Sequence, residues 1–183
     1  PQPVYRITDV LQPEVFFQRA HTQVSDDEFR IYKTFYDYDP VDIHAKVLKK
    51  DESRSAWTLE KIAFKAAYND DEVIAYLFIP KNAKPPYQTV IYGPGSAALY
   101  QKSSEDIVSY YEFPIFLEYI VKSGRAVLFP VCQGTFERRS DAKGFVHLGA
   151  DTHEHSEFMS QVVKDYRRSI DYLQSRSDID PNK

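Results

Sequence analysis

Apolar and polar positions change their spacing several times along the chain. Residues 1–24 hold three prolines and the cluster Val15, Phe16 and Phe17 with no regular period, and read as an extended lead-in. At Ser25-Asp26-Asp27-Glu28 the spacing S-x-x-E is a capping box, so a helix starts there. Phe29, Tyr32 and Tyr36 share one face with Phe35 beside them, and the helix ends before Asp39-Pro40, since a residue preceding proline avoids the α region. Residues 40–55, rich in Lys, Asp and Ser, read as a polar connector.

From Trp57 the period falls to two. Thr58, Glu60, Ile62, Phe64 and Ala66 alternate with Lys61, Ala63 and Lys65, as in a half-exposed strand. Asn69-Asp70-Asp71 has turn chemistry and residues 72–79 form a second strand ending at Pro80, which makes an antiparallel hairpin. The short run Thr89-Val90-Ile91-Tyr92 stops at Gly93-Pro94-Gly95-Ser96, the form of a buried parallel strand followed by a functional loop. A helix is expected from Pro114, with Phe116, Leu117, Ile120 and Val121 inward and Gly124 at its C′ position. Residues 125–131 (RAVLFPV) form the next buried strand, and the polar stretch 134–156 reads as a long loop. Ser156 caps a last helix that turns Met159, Val162, Val163, Tyr166, Ile170 and Leu173 inward and Lys164, Asp165, Arg167, Arg168 and Asp171 outward.

Hairpin, strand, helix, strand, helix is the order of an α/β protein with parallel strands and crossovers on the sheet faces. The composition supports a packed core: of 183 residues 43% are hydrophobic and 15% aromatic. A net charge of −4 without a stripe of Lys or Arg argues against nucleic acid and anionic membrane as partners. No stretch approaches the ~18 apolar residues of a membrane span. The single cysteine, Cys132, excludes an internal disulfide and fits a reducing, cytoplasmic setting, with the periplasm and the exterior left open.

Three runs carry a resemblance: TVIYGPGSAALYQKSSEDI, FLEYIVKSGRAVLFPVCQGTFERR and VVKDYRRSIDYLQSRSDIDPNK. They resemble the first half of an α/β-hydrolase catalytic domain of the dienelactone hydrolase, acetyl xylan esterase and prolyl-oligopeptidase-like branch. With FYDYDPVDIHAKV and KIAFKAAYNDDEVIAYLFIPKNAKPPYQTV, the chain resembles more narrowly the hydrolase-like modules C-terminal to some bacterial serine/threonine protein kinases. The resemblance implies residues 1–50 as an N-terminal extension with one helix and a linker, and residues 51–183 as the first half of the hydrolase domain. It further implies an incomplete α/β-hydrolase fold, an antiparallel hairpin followed by parallel β-α-β-α and cut before the nucleophile-elbow strand. No G-x-S-x-G occurs in the chain. The family order is Ser, then Asp or Glu, then His, so the resemblance puts the whole triad beyond residue 183 and no catalytic residue within it.

Within these residues the loop Gly93-Pro94-Gly95-Ser96-Ala97 stands where such hydrolases donate an oxyanion-hole N–H. Pro94 has no N–H to give, which leaves Gly95 and Ser96 as donors; a plain strand-ending turn is the alternative. Ser96 as a nucleophile lacks the elbow that would activate it. Arg138, Arg139, His147, His153 and His155 are candidates for a substrate-side loop, because they follow a parallel strand at its carboxyl end. Arg138 and Arg139 could bind an anionic group or anchor that loop on a neighbouring carboxylate, and structural pairing is the commoner fate of such arginines. His147, Asp151, His153 and His155 have metal-ligand chemistry but sit in a polar, irregular stretch where histidines are usually solvated. No metal and no cofactor are expected. Tyr110, Tyr111 and Phe113 read as packing, and Cys132 as a small apolar residue.

The reading is therefore part of a serine hydrolase, an esterase or peptidase-like acyl-transfer enzyme acting on a small-molecule ester or peptide. Residues 1–183 alone are expected to be inactive. The alternative is a non-catalytic binding or regulatory module attached to a protein kinase. Either way the expected partners are the rest of a longer polypeptide and, through the apolar edge of residues 89–92, another copy of the chain.

Overall fold

Alternation along β3 (Glu72–Pro80) and β5 (Ala126–Val131) sets the architecture. Tyr76 and Phe78, with Val127, Phe129 and Val131, point to one side of the sheet; Ala75 and Leu77, with Ala126 and Leu128, point to the other. Both faces are covered, which is why all six residues of β5 are buried. The computed structural model describes residues 24–139 and 152–182. The chain divides into two compact units, Pro1–Phe35 and Tyr36–Lys183.

The first unit holds α1 (Asp26–Thr34). Its capping box is formed: Glu28 N–H donates to Ser25 Oγ at 3.2 Å, and Ser25 N–H donates to Glu28 Oε2 at 2.8 Å. None of its side chains is buried.

The second unit is a mixed α/β structure around a five-stranded sheet of order β1-β2-β3-β5-β4. β2 (Trp57–Lys65) and β3 pair antiparallel from Trp57–Pro80 to Lys65–Glu72. Asn69 and Asp70 turn between them at φ of 51° and 52°, the left-handed conformation a tight hairpin turn asks of both central residues. β5 pairs antiparallel with β3 and parallel with β4 (Thr89–Ile91). One face carries a π-helical turn (Phe113–Leu117) that runs into the short α2 (Glu118–Lys122). The long α3 (His153–Gln174) places Tyr172 and Leu173 in the core of the other face.

Four expectations from the sequence are corrected. Residues 40–55 are not all connector, because Lys46–Asp51 form β1 against β2. Its exposed Lys46, Lys49 and Lys50 and a register shift between Val47 and Lys49 are devices that protect a sheet edge, and they disguise a strand as a linker. β2 is not half-exposed: both of its faces are covered, and Trp57, Ile62, Ala63 and Phe64 are all buried. The helix expected from Pro114 is two short turns, burying Phe113, Leu117 and Val121 while Phe116 stays exposed. α3 is capped by Thr152, whose side chain accepts the His155 N–H, and not by Ser156.

The open edge of β4 has the opposite character from β1. Tyr87 N–H donates to Asp178 O at 2.8 Å, and Asp180 N–H donates to Tyr87 O at 2.9 Å, a parallel bridge on the side of β4 away from β5. Residues 178–180 thus align beside the start of β4, while Thr89 and Ile91 have no strand partner on that side among the described residues.

Candidate functional site at the carboxyl ends of β4 and β5

Because β4 and β5 are parallel, the loops after both leave the sheet on the same side. Between these loops and the first half of α3 lies a cavity of about 240 Å³. The turn after β4 contributes Pro94, Gly95 and Ser96, and the loop after β5 contributes Cys132, Gln133 and Thr135. Phe158, Met159, Val162 and Tyr166 from α3 close the opposite wall. Ligands of open α/β sheets gather at such carboxyl-end crevices.

Two glycines let α3 approach. A Cβ on Gly93 would lie 2.6 Å from Tyr166 Oη, and a Cβ on Gly134 would lie 2.5 Å from the Phe158 ring. Gly134 also has φ of +84°, a conformation other residues resist.

The loop after β5 is held from within. Thr135 Oγ1 donates to Cys132 O at 2.8 Å, and Gly134 N–H donates to Arg138 O at 3.1 Å. Phe136 sits at φ of +48°, costly for a bulky residue, and its ring is clasped by Tyr110 and Phe129 at centroid distances of 5.2 and 6.0 Å.

Arg138 ties this loop to the rest of the unit. Its Nη1 donates to Asp165 Oδ2 at 2.6 Å and to Val131 O at 2.9 Å, and its Nη2 donates to Tyr68 Oη at 2.8 Å and Asp71 Oδ2 at 3.0 Å. Tyr68 Oη donates in turn to Asp165 Oδ1 at 2.8 Å, and Gln133 N–H donates to Asp165 Oδ2 at 2.7 Å. The Asp165 side chain is fully buried and that of Arg138 nearly so. Burial works against the Arg138 charge, but Asp165 and Tyr68 outweigh it and hold the guanidinium above its ordinary pKa.

A second buried carboxylate supports the turn after β4. Gly95 N–H donates to Glu112 Oε1 at 2.9 Å, and Tyr111 Oη donates to the same oxygen at 2.9 Å. Glu112 is 1% exposed, and its other oxygen has no hydrogen-bond partner among the described residues. Tyr92, at the end of the β4 run, has its pKa pushed up to about 12 by burial first and by the Glu112 charge second. Cys132 is buried at the cavity wall, and burial pushes its thiol up to about 12.

The candidate residues separate accordingly. Gly95 and Ser96 line the cavity, but the Gly95 N–H is already taken by Glu112, so Ser96 is the remaining donor of the pair. Arg138 is turned into the protein and anchors the loop to a carboxylate, the second of its two expected roles. Arg139 is half-buried, with its N–H on Phe136 O at 3.3 Å. His153 is the exposed first residue of α3 and His155, two positions on, is half-buried, while His147 and Asp151 fall outside the described residues.

Asp165 and Arg168 overturn their expected outward placement: both are buried. Asp165, Arg168, Ser169, Tyr172 and Leu173 recur at the spacing of one helical face, and that face is the one against the sheet. Reading charge as outward hid a periodicity that was present. Glu112 is a lone acid amid Tyr110, Tyr111 and Phe113, and that acid in an aromatic cluster is its only signal in the sequence.

No protein-family model matches the chain, and no curated protein sequence matches it. Among solved structures it is similar to acetyl xylan esterase 1 from Thermoanaerobacterium sp., with a TM-score of 0.54 and 16% identity over 85% of this chain and 48% of that one. Two others are a cold-adapted esterase from an Arctic intertidal metagenomic library and a CE15 esterase from a marine bacterial metagenome. The first has a TM-score of 0.48 and 13% identity, covering 73% of this chain and 51% of that one. The second has a TM-score of 0.46 and 12% identity, covering 85% and 49%. The chain thus spans about half the length of the acetyl xylan esterase, with which it shares a fold.

Proposed function

We propose that this chain forms the N-terminal half of a serine-hydrolase-type acyl-transfer site, with the cavity after β4 and β5 receiving the substrate. The observation that carries the reading is the position of that cavity, at the carboxyl ends of two parallel strands in a fold shared with an acetyl xylan esterase. In this reading a nucleophilic serine and its Asp–His partners come from polypeptide beyond residue 183. The serine attacks the ester carbonyl, the oxyanion takes a hydrogen bond from the Ser96 N–H, and the histidine protonates the departing alcohol. Gly95 and Glu112 then serve to fix the turn that aims Ser96.

The test compares two polypeptides. Residues 1–183 alone are expected to hydrolyse an activated ester no faster than buffer. A longer polypeptide carrying G-x-S-x-G is expected to hydrolyse it and to take up a serine-directed fluorophosphonate outside residues 1–183. Acyl-enzyme formation by residues 1–183, abolished by Ser96→Ala, would overturn this placement of the nucleophile.

One observation favours a second reading, a non-catalytic hydrolase-like module attached to a protein kinase. Pro94 lacks an N–H and that of Gly95 is occupied, so the turn rests its whole oxyanion contribution on the single N–H of Ser96. Failure of the longer polypeptide to take up the fluorophosphonate would select this reading.

A further inference from the structure

The chemistry of the cavity wall narrows the ligand. Among the described residues no charged side chain lines it. Leu99, Phe158, Met159 and Val162 present hydrocarbon, sulfur and ring, and Tyr166 adds a phenol paired with Cys132. Two buried acids, Glu112 and Asp165, are hydrogen-bonded to backbone amides of the wall. Glu112 stands directly behind Gly95 with one oxygen unpartnered, and Asp165 behind Gln133 is matched by Arg138. A carboxylate entering this cavity would give up water, meet no cation among the described wall residues and lie near the acidic Glu112. An aliphatic group meets none of these costs.

Size gives the second limit. A cavity of 150 Å³ in another protein accommodates benzene, so about 240 Å³ takes a longer group, a chain of about six carbons. Its lining includes Phe158, which lies against Gly134, and Met159, whose unbranched side chain adapts to what it touches.

We propose that this cavity binds an uncharged aliphatic chain of about six carbons, the acyl portion of a medium-chain ester, and discriminates against anionic acyl groups. The assignment rests on the acyl-transfer reading of the same cavity and names the part of the substrate held there.

The experiment measures binding of unreactive probes to the protein by NMR titration, using straight-chain 2-alkanones from three to ten carbons and the carboxylates of matching length. Affinity for the ketones is expected to rise about fourfold per methylene until the cavity is full, near six carbons, and then to level off. Each carboxylate is expected to bind at least tenfold more weakly than its ketone. A flat chain-length series, or carboxylates binding as tightly as ketones, overturns the proposal. Met159→Ala is expected to move the plateau outward by at least one carbon, and Met159→Trp to move it inward. A plateau that neither variant moves places the chain elsewhere and overturns the proposal as well. The two readings fail separately. If the ketone profile holds while no longer polypeptide hydrolyses esters, only acyl transfer falls; if esters are hydrolysed with no chain-length dependence, only the acyl-chain assignment falls.

Discussion

Gly95 and Glu112 are 17 positions apart, yet the amide of one rests on the carboxylate of the other at 2.9 Å. The contact is close enough that a side chain at Gly95 would begin 2.6 Å from Glu112 Oε1. The turn after β4 is thus shaped by a buried acidic side chain, and the glycine is required by a neighbour rather than by a positive φ.

Gly95→Val is therefore expected to displace the turn. In a hydrolytically active longer polypeptide, loss of an oxyanion donor lowers kcat by about 10²–10³ while KM moves little. Steady-state kinetics check this, and a kcat within twofold of the parent would leave the turn without a catalytic part.

Glu112→Gln keeps the acceptor oxygen and removes the charge. The Tyr92 pKa, held up to about 12 by burial and then by Glu112, is expected to fall part of the way toward 10, with burial, its largest cause, still acting. An ultraviolet or NMR pH titration of Tyr92 reads this directly. An unmoved Tyr92 would separate the two residues electrically.

The Arg138–Asp165 pair predicts a loss of stability. Removing one member leaves the other charged and buried, which costs about 3–5 kcal/mol. Asp165→Ala and Arg138→Met should each show this in urea unfolding. The double variant is expected to cost clearly less than the sum of the two, because neither charge is then left alone. Strict additivity would mean that the pair is not coupled.

Alkaline pH should destabilise the protein through Cys132. Burial pushes its folded thiol from the ordinary 9.0 up to about 12, so between these values the unfolded chain loses a proton that the folded chain keeps. Stability is fully present below pH 9 and falls as the pH rises toward 12. The urea midpoint should therefore decline from pH 8 to pH 10.5, and Cys132→Ala should decline less over that span. The native thiol should also resist disulfide-exchange reagents at pH 8.

Gly134→Ala combines two penalties, φ of +84° and a Cβ 2.5 Å from the Phe158 ring. It is expected to destabilise by more than the ~1 kcal/mol of a conformational penalty alone. A calorimetric Tm equal to that of the parent would show that Phe158 moves aside freely.

The sequence by itself determined whatever depends on neighbours a few residues apart. The capping box at Ser25, the Asn69-Asp70 turn, the period-two runs and the glycine at the end of α2 are set by local backbone preference, and each could be read without the fold. The α/β class followed from the order of those elements. Only the tertiary structure decided what depends on long-range partners. β1 is a strand because Trp57–Lys65 offers it a ladder, although its own residues are those of a linker. Asp165 and Arg168 are inside because other groups satisfy them: Arg138, Tyr68 and Gln133 meet Asp165, while Asp171 and the carbonyls of Val41, Asp42 and Lys65 meet Arg168. The turn after β4 was legible as a candidate, but the state of its amides was not. Whether an N–H is free or taken depends on where a carboxylate 17 residues away comes to rest, and chain spacing carries no record of that distance.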